Sequence, residues 1–141
     1  VLECLNFSLN RAEGFNGNKF YLFDMQHYIR LKRKEEILKH IYWAINHDFE
    51  GFELYYQPII DINTKSIITL EALLRLKMKD EYIQPKEFIS LLEQTHLILP
   101  VGRWVLKTAM ESWKELQQLI PGLKMNVNMS FVQVIKIIVF K

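Results

Sequence analysis

"ITLEALLRL", residues 68–76, decides how this chain is read. Its apolar run and the turn-forming residues before it mark a strand that packs into a core. Yet Glu71 and Arg75 sit inside it. Burying an unpaired charge costs several kcal/mol, roughly, unless a partner or a metal compensates. Side chains alternate along a strand, so Leu70, Ala72 and Leu74 share one face while Glu71, Leu73 and Arg75 share the other. Either Glu71 and Arg75 pair on their common face, or that face lines a site.

The flanking segments extend the pattern. "FELYYQPIIDI" (52–62) reads as a strand, "NTKS" (63–66) turns the chain, and "IITLEALLRL" returns. Tyr55, Gln57 and Ile59 fall together on the first of these strands. "QPKEFISLLEQTHLI" (84–98) is helical, with Pro85 near its start and Phe88, Leu91, Leu92 and Thr95 on one face. "GRWVLKTAMESWKELQQLI" (102–120) is a longer helix whose buried side is expected to carry Leu106, Ala109, Met110, Trp113 and Leu116, ended by Pro121 and Gly122. "KMNVNMS" (124–130) is a third strand, with Asn126, Asn128 and Ser130 on one face and Met125, Val127 and Met129 on the other. Strands followed by helical stretches suggest a parallel α/β architecture. Polar groups toward the strand ends suit a barrel whose strands point side chains into a site. Asn126 or Asn128 as a satisfied core amide, and Gln57 as a backbone cap, are the structural alternatives.

Upstream, Leu2, Leu5, Leu9 and Ala12 recur at helical spacing until "GFNGN" (14–18), and "KFYLF" (19–23) follows as a short strand. From about Met25 to His47 the pattern is helical, with Leu38, Ile41 and Ile45 in one stripe. The basic run "RLKRKEE" (30–36) reads as a solvated helix face, with a partner or lipid surface as the minority reading. This segment is expected to connect two units.

Composition excludes several classes. The 141 residues carry a net charge of +2, too weak to argue for nucleic acid or a membrane surface. No run is apolar enough to span a bilayer. The lone Cys4 forbids an internal disulfide and fits a reducing, cytoplasmic setting. His27, His40, His47 and His96 show no metal-ligand spacing. The first residues start mid-pattern without an initiator Met, as if inside a longer protein.

"YYQPIID" (55–61), "LEALLRL" (70–76), "QPKEFISLLEQTHLILPVGRWVLKTA" (84–109) and "NVNMS" (126–130) together resemble the EAL family of cyclic di-GMP phosphodiesterases, from about Phe52 to Ser130. The resemblance implies a (β/α)8 TIM-type barrel modified in its first strands. It implies hydrolysis of cyclic di-GMP to pGpG with two Mg²⁺ or Mn²⁺ ions that activate water and clamp the phosphate. By position it implies Glu71 and Asn128 as metal ligands, and Gln57, Leu73 and Arg75 as substrate-binding residues near a guanine base, the pocket wall and a phosphate. "LNFSLNRAEGFNGNKFYLFD" (5–24) is similar to the end of a GGDEF diguanylate cyclase domain, although Asn6, Asn10 and Glu13 depart from that family's usual residues. The expected division is a GGDEF-like remnant over 1–24, a linker helix over 25–47 and the N-terminal portion of an EAL domain over 48–141.

A full barrel takes roughly 250 residues; this stretch supplies about the first three strands. The family's later acidic ligands, catalytic lysine and late glutamate have no counterpart here. The tail "FVQVIKIIVFK" (131–141) departs from the family pattern and reads as an apolar, β-branched edge segment. The expectation is a catalytically incompetent fragment of a phosphodiesterase. The alternatives are a non-catalytic nucleotide-binding or interaction module, pairing or aggregating through an open strand edge, and a piece of a working enzyme.

Overall fold

The computed structural model describes residues 2–13 and 22–139. The chain divides into two compact units, 1–36 and 37–141.

In the first unit, α1 spans Leu2–Glu13. The expected strand over 19–23 lies partly outside the described residues, and its last two, Leu22 and Phe23, are irregular. The reason follows at once in sequence. Asp24 caps the next helix, its Oδ1 accepting from the Gln26 N–H at 2.8 Å. That helix, α2, runs Met25–Asn46 and so begins in one unit and ends in the other. Phe7 of α1 packs edge-on against Tyr28, centroids 5.3 Å apart.

The second unit holds β1 (Phe52–Ile60), β2 (Ile67–Met78), β3 (Glu81–Ile83), α3 (Pro85–Gln94), α4 (Ile98–Leu119), β4 (Lys124–Val127) and α5 (Phe131–Val139). β2 is the centre of the sheet. β1 pairs with it antiparallel, from Phe52 opposite Leu76 to Ile60 opposite Ile67, with an irregularity at Ile59/Ile60. β4 pairs with it in parallel, Glu71 standing opposite Asn126. β3, which the sequence pattern did not reveal, pairs antiparallel with the end of β2, Lys77 opposite Tyr82. The sheet is therefore mixed rather than purely parallel, because the 61–66 segment is a tight hairpin. Asp61 organises it: Oδ1 accepts from the N–H groups of Asn63 (2.9 Å) and Thr64 (2.8 Å) and from the Thr64 hydroxyl (3.1 Å).

Leu70, Ala72, Leu76 and Met78 turn one face of β2 toward helices. The core there joins Phe52, Leu76, Ile83, Phe88, Leu92, Val101 and Val105 with Ile37, Ile41 and Ala44 from the end of α2. The α2 stripe thus uses Ile37 and Ala44 beside Ile41, one step round from the expected Leu38–Ile45 line. On α4 the buried side is Val101, Gly102, Val105 and Ala109; Met110, expected inside, is 56% exposed. Trp113 is half-buried and its Nε1–H donates to the Leu123 carbonyl at 2.8 Å. α2 and the hairpin meet at Gly51 (φ 90°), where a Cβ would stand 2.8 Å from the Lys77 carbonyl oxygen. That oxygen lies 2.9 Å from His40 Nε2.

The expectation for the tail is overturned. Residues 131–139 form a helix, not an edge strand. Ser130 and Gln133 make a capping box: Gln133 Oε1 accepts from the Ser130 N–H (2.9 Å), and Ser130 Oγ accepts from the Val132 N–H (3.3 Å). The Ser130 hydroxyl also donates to Glu93 Oε1 at 2.5 Å. The early donors of the helix are therefore satisfied locally, and apolar content does not decide the state. Among the described residues, β4 has β2 as its only strand neighbour.

Candidate functional site

Pairing fixes which side chains share the face of β2 that points away from the helices. Gln57 stands opposite Glu71, Tyr55 opposite Leu73, and Glu53 opposite Arg75. Asn126 flanks Glu71 from β4, and Tyr82 flanks Lys77 from β3. This face carries all five residues singled out in the sequence or their immediate neighbours.

Asn128 lies just past the end of β4, two residues beyond Asn126. Its Nδ2 donates to Glu71 Oε1 at 2.7 Å. The carboxylate and the carboxamide, 57 positions apart, thus meet because β4 enters parallel to β2. Glu71 is half-buried, and Asn126 and Asn128 are exposed, so neither asparagine is a core amide. Gln57 is also exposed, and among the described residues its side chain caps no backbone group.

Glu71 and Arg75 do not form an ion pair. Four residues along a strand span about 13 Å, beyond the reach of a direct contact. Arg75 instead donates through Nη1 to the Leu74 carbonyl at 3.0 Å, and its Cζ lies 5.7 Å from the centre of the Tyr55 ring. The Tyr55 hydroxyl donates to Tyr82 Oη (2.9 Å), and the Tyr82 hydroxyl donates to Glu53 Oε2 (2.9 Å). Those hydrogen bonds, from Tyr55 first and then Glu53, push the Tyr82 phenol well above its ordinary value. The sequence reading passed over this relay, because Tyr82 reaches it only through β3.

A cavity of about 460 Å³ lies beside β2 among α3, α4 and α5, lined by consecutive residues from both faces of the strand. Leu73, Arg75 and Asn128 reach its wall, whereas Glu71 and Gln57 do not. Its lining is mostly apolar, with Ile89, Val101, Val105 and Leu106 in it. The candidate site is therefore centred on Glu71 on the sheet face and borders this cavity through Leu73, Arg75 and Asn128.

Glu71 and Asn128 offer hard oxygen donors, which suit Mg²⁺ or Mn²⁺ in kind. Among the described residues no group of three or more His, Cys, Asp or Glu side chains gathers to hold a metal. Two residues fill only part of the six-ligand shell of Mg²⁺, the rest falling to water, substrate phosphate or further protein groups. Among the described residues no helix is long and apolar enough to cross a membrane.

Comparison with known proteins agrees with this geometry. A cyclic di-GMP phosphodiesterase of Pseudomonas aeruginosa is 38% identical over 82 residues, covering 57% of this chain and 14% of that protein. The phosphodiesterase PaMucR, solved in complex with cyclic di-GMP, superposes with a TM-score of 0.56 at 32% identity, covering 66% of this chain and 38% of the other. The FimX EAL domain of Xanthomonas citri, also solved with cyclic di-GMP, gives a TM-score of 0.53 at 28% identity over 75% of this chain and 39% of the other. The chain spans well under half the length of these relatives. The neighbours are EAL-type barrels, and the four-stranded sheet with its helices corresponds to part of one. The EAL domain profile matches residues 43–135, and the chain belongs to the EAL domain family.

Proposed function

We propose that this chain is part of a cyclic di-GMP phosphodiesterase of the EAL type, and that the open face of β2 contributes to its metal and nucleotide site. The observation that carries the reading is the 2.7 Å contact between Asn128 and Glu71. It gathers the two candidate metal ligands on the face that also bears Gln57, Leu73 and Arg75. In this role Glu71 and Asn128 hold Mg²⁺ or Mn²⁺, Arg75 meets a phosphate, Gln57 lies near a guanine and Leu73 walls the pocket. The bound metal supplies charge neutralisation at the phosphate and an acidified water. Residues 1–24 stand as the end of a GGDEF-like domain, 25–47 as a linker and 48–141 as the first part of the EAL domain, in a cytoplasmic setting.

Among the described residues the candidate metal ligands are Glu71 and Asn128 alone, which supports a chain that does not hydrolyse the nucleotide by itself. Its β4 edge, with one strand neighbour among the described residues, makes a second copy an available partner.

Calorimetry with cyclic di-GMP, with and without Mn²⁺, tests the reading. Mn²⁺ is expected to raise affinity in the natural chain and to lose that effect in Glu71→Ala. An equal Mn²⁺ effect in both removes Glu71 from the site. Hydrolysis that disappears in Glu71→Ala overturns the incompetence of the isolated chain.

A further inference from the structure

Arg75 faces a competitor for its charge. Glu53 is its cross-strand partner in the β1–β2 register, and opposite charges so placed normally pair. Here they do not. Glu53 Oε2 instead accepts the Tyr82 hydroxyl at 2.9 Å, and Tyr82 in turn accepts the Tyr55 hydroxyl at 2.9 Å. The Tyr55 ring lies beneath the guanidinium, 5.7 Å from Cζ. Among the described residues no carboxylate pairs with Arg75.

We propose that Tyr82 is a positioning residue that diverts Glu53 away from Arg75, so that the guanidinium stays available to an anionic phosphodiester while the Tyr55 ring holds it in place. This rests on the nucleotide reading above for the identity of the anion, but not for the diversion itself. The three groups act in one direction. Each hydroxyl in the chain polarises the next, ending on the carboxylate. Donation by Tyr55 leaves its ring face more electron-rich toward the cation. Without the Tyr82 hydroxyl, the Glu53 carboxylate loses its donor, and its nearest opposite charge is the guanidinium across the strand. A Glu53–Arg75 pair would then compete with the phosphate.

The test uses Tyr82→Phe, which removes one oxygen from a side chain that is 47% exposed. In the ligand-free chain, NMR of Arg75 is expected to show ring-current-shifted side-chain protons. In Tyr82→Phe those signals are expected to move, together with the Glu53 side-chain carboxyl resonance, as the two groups come into contact. Affinity for cyclic di-GMP is expected to fall about threefold to tenfold. Tyr82→Phe/Glu53→Gln, which removes the competing charge, is expected to restore it. Unmoved Arg75 and Glu53 signals in Tyr82→Phe, or affinity that the second substitution fails to restore, overturn the proposal. If the natural chain binds no cyclic di-GMP, the nucleotide reading falls, and the Arg75 and Glu53 signals alone decide whether Tyr82 diverts Glu53.

Discussion

Gly102→Ala is expected to destabilise the second unit, although alanine favours a helix over glycine by about 1 kcal/mol. Gly102 lies in α4 and is buried. An added Cβ would run into Gln133 Nε2 and stand 2.8 Å from Gln133 Cδ. Gln133 is a flexible side chain and can withdraw, so the clash itself need not persist. Withdrawal has its own cost. Gln133 is 7% exposed, and its Oε1 holds the Ser130 N–H at the start of α5. Losing that bond costs about 0.5–1.5 kcal/mol, and a buried amide left without partners costs about 1–3 kcal/mol. Set against the propensity gain, the net loss is about 1–3 kcal/mol. Urea unfolding followed by circular dichroism reads it. With a slope of about 2 kcal/mol per molar, the midpoint should fall by roughly 0.5–1.5 M. The double variant Gly102→Ala/Gln133→Ala should recover much of the loss, since the displaced amide is gone. A Gly102→Ala chain as stable as the natural one, or more so, refutes the close approach of α5 to α4.

Two further expectations concern pH and assembly. The hydrogen bonds from Thr64, first, and Asn63 hold the Asp61 carboxyl below its ordinary value of 3.8. Its contribution to the hairpin is complete above that value and is lost as pH falls through the lower folded-state pKa; a carboxyl shift titration that shows Asp61 at or above 3.8 contradicts the turn as described. The β4 edge should pair with a second copy of the chain, giving concentration-dependent dimers or larger species in sizing chromatography with light scattering at micromolar concentration. A monomer of constant mass across that range counts against it.

Much of the fold was legible because two periods are strong. Alternation in 68–76 separated Leu70 and Ala72 from Glu71 and Leu73, and the structure buries the first pair more deeply. The apolar spacing of Phe88, Leu91 and Leu92 placed α3's inner face correctly. The failures have separate physical causes. β3 has three residues, too few to show any period. The tail is rich in β-branched residues, which argue for a strand, yet Ser130 just before it and Gln133 within it stand at capping-box spacing. That signal was present in the sequence and outweighs composition once the helix start is satisfied. Met110 was expected inward with Ala109, while α4's buried line runs through Val101, Gly102, Val105 and Ala109, with Gly102 small enough for Gln133 to approach.

The site divides along the same line. Glu71 and Arg75 were identifiable as charges on a single strand face, and their separation follows from the rise of a strand alone, which rules out the simple ion pair. That Asn128 meets Glu71 requires β4 to lie parallel against β2, a pairing that local pattern does not specify. The partner of Glu53 was further from reach. Register places Arg75 directly across from it, so pairwise reasoning on two strands yields a salt bridge. The donor that captures the carboxylate comes from 29 positions away, on a third strand. Two strands thus fix where the guanidinium stands, and the third decides what it is left to bind.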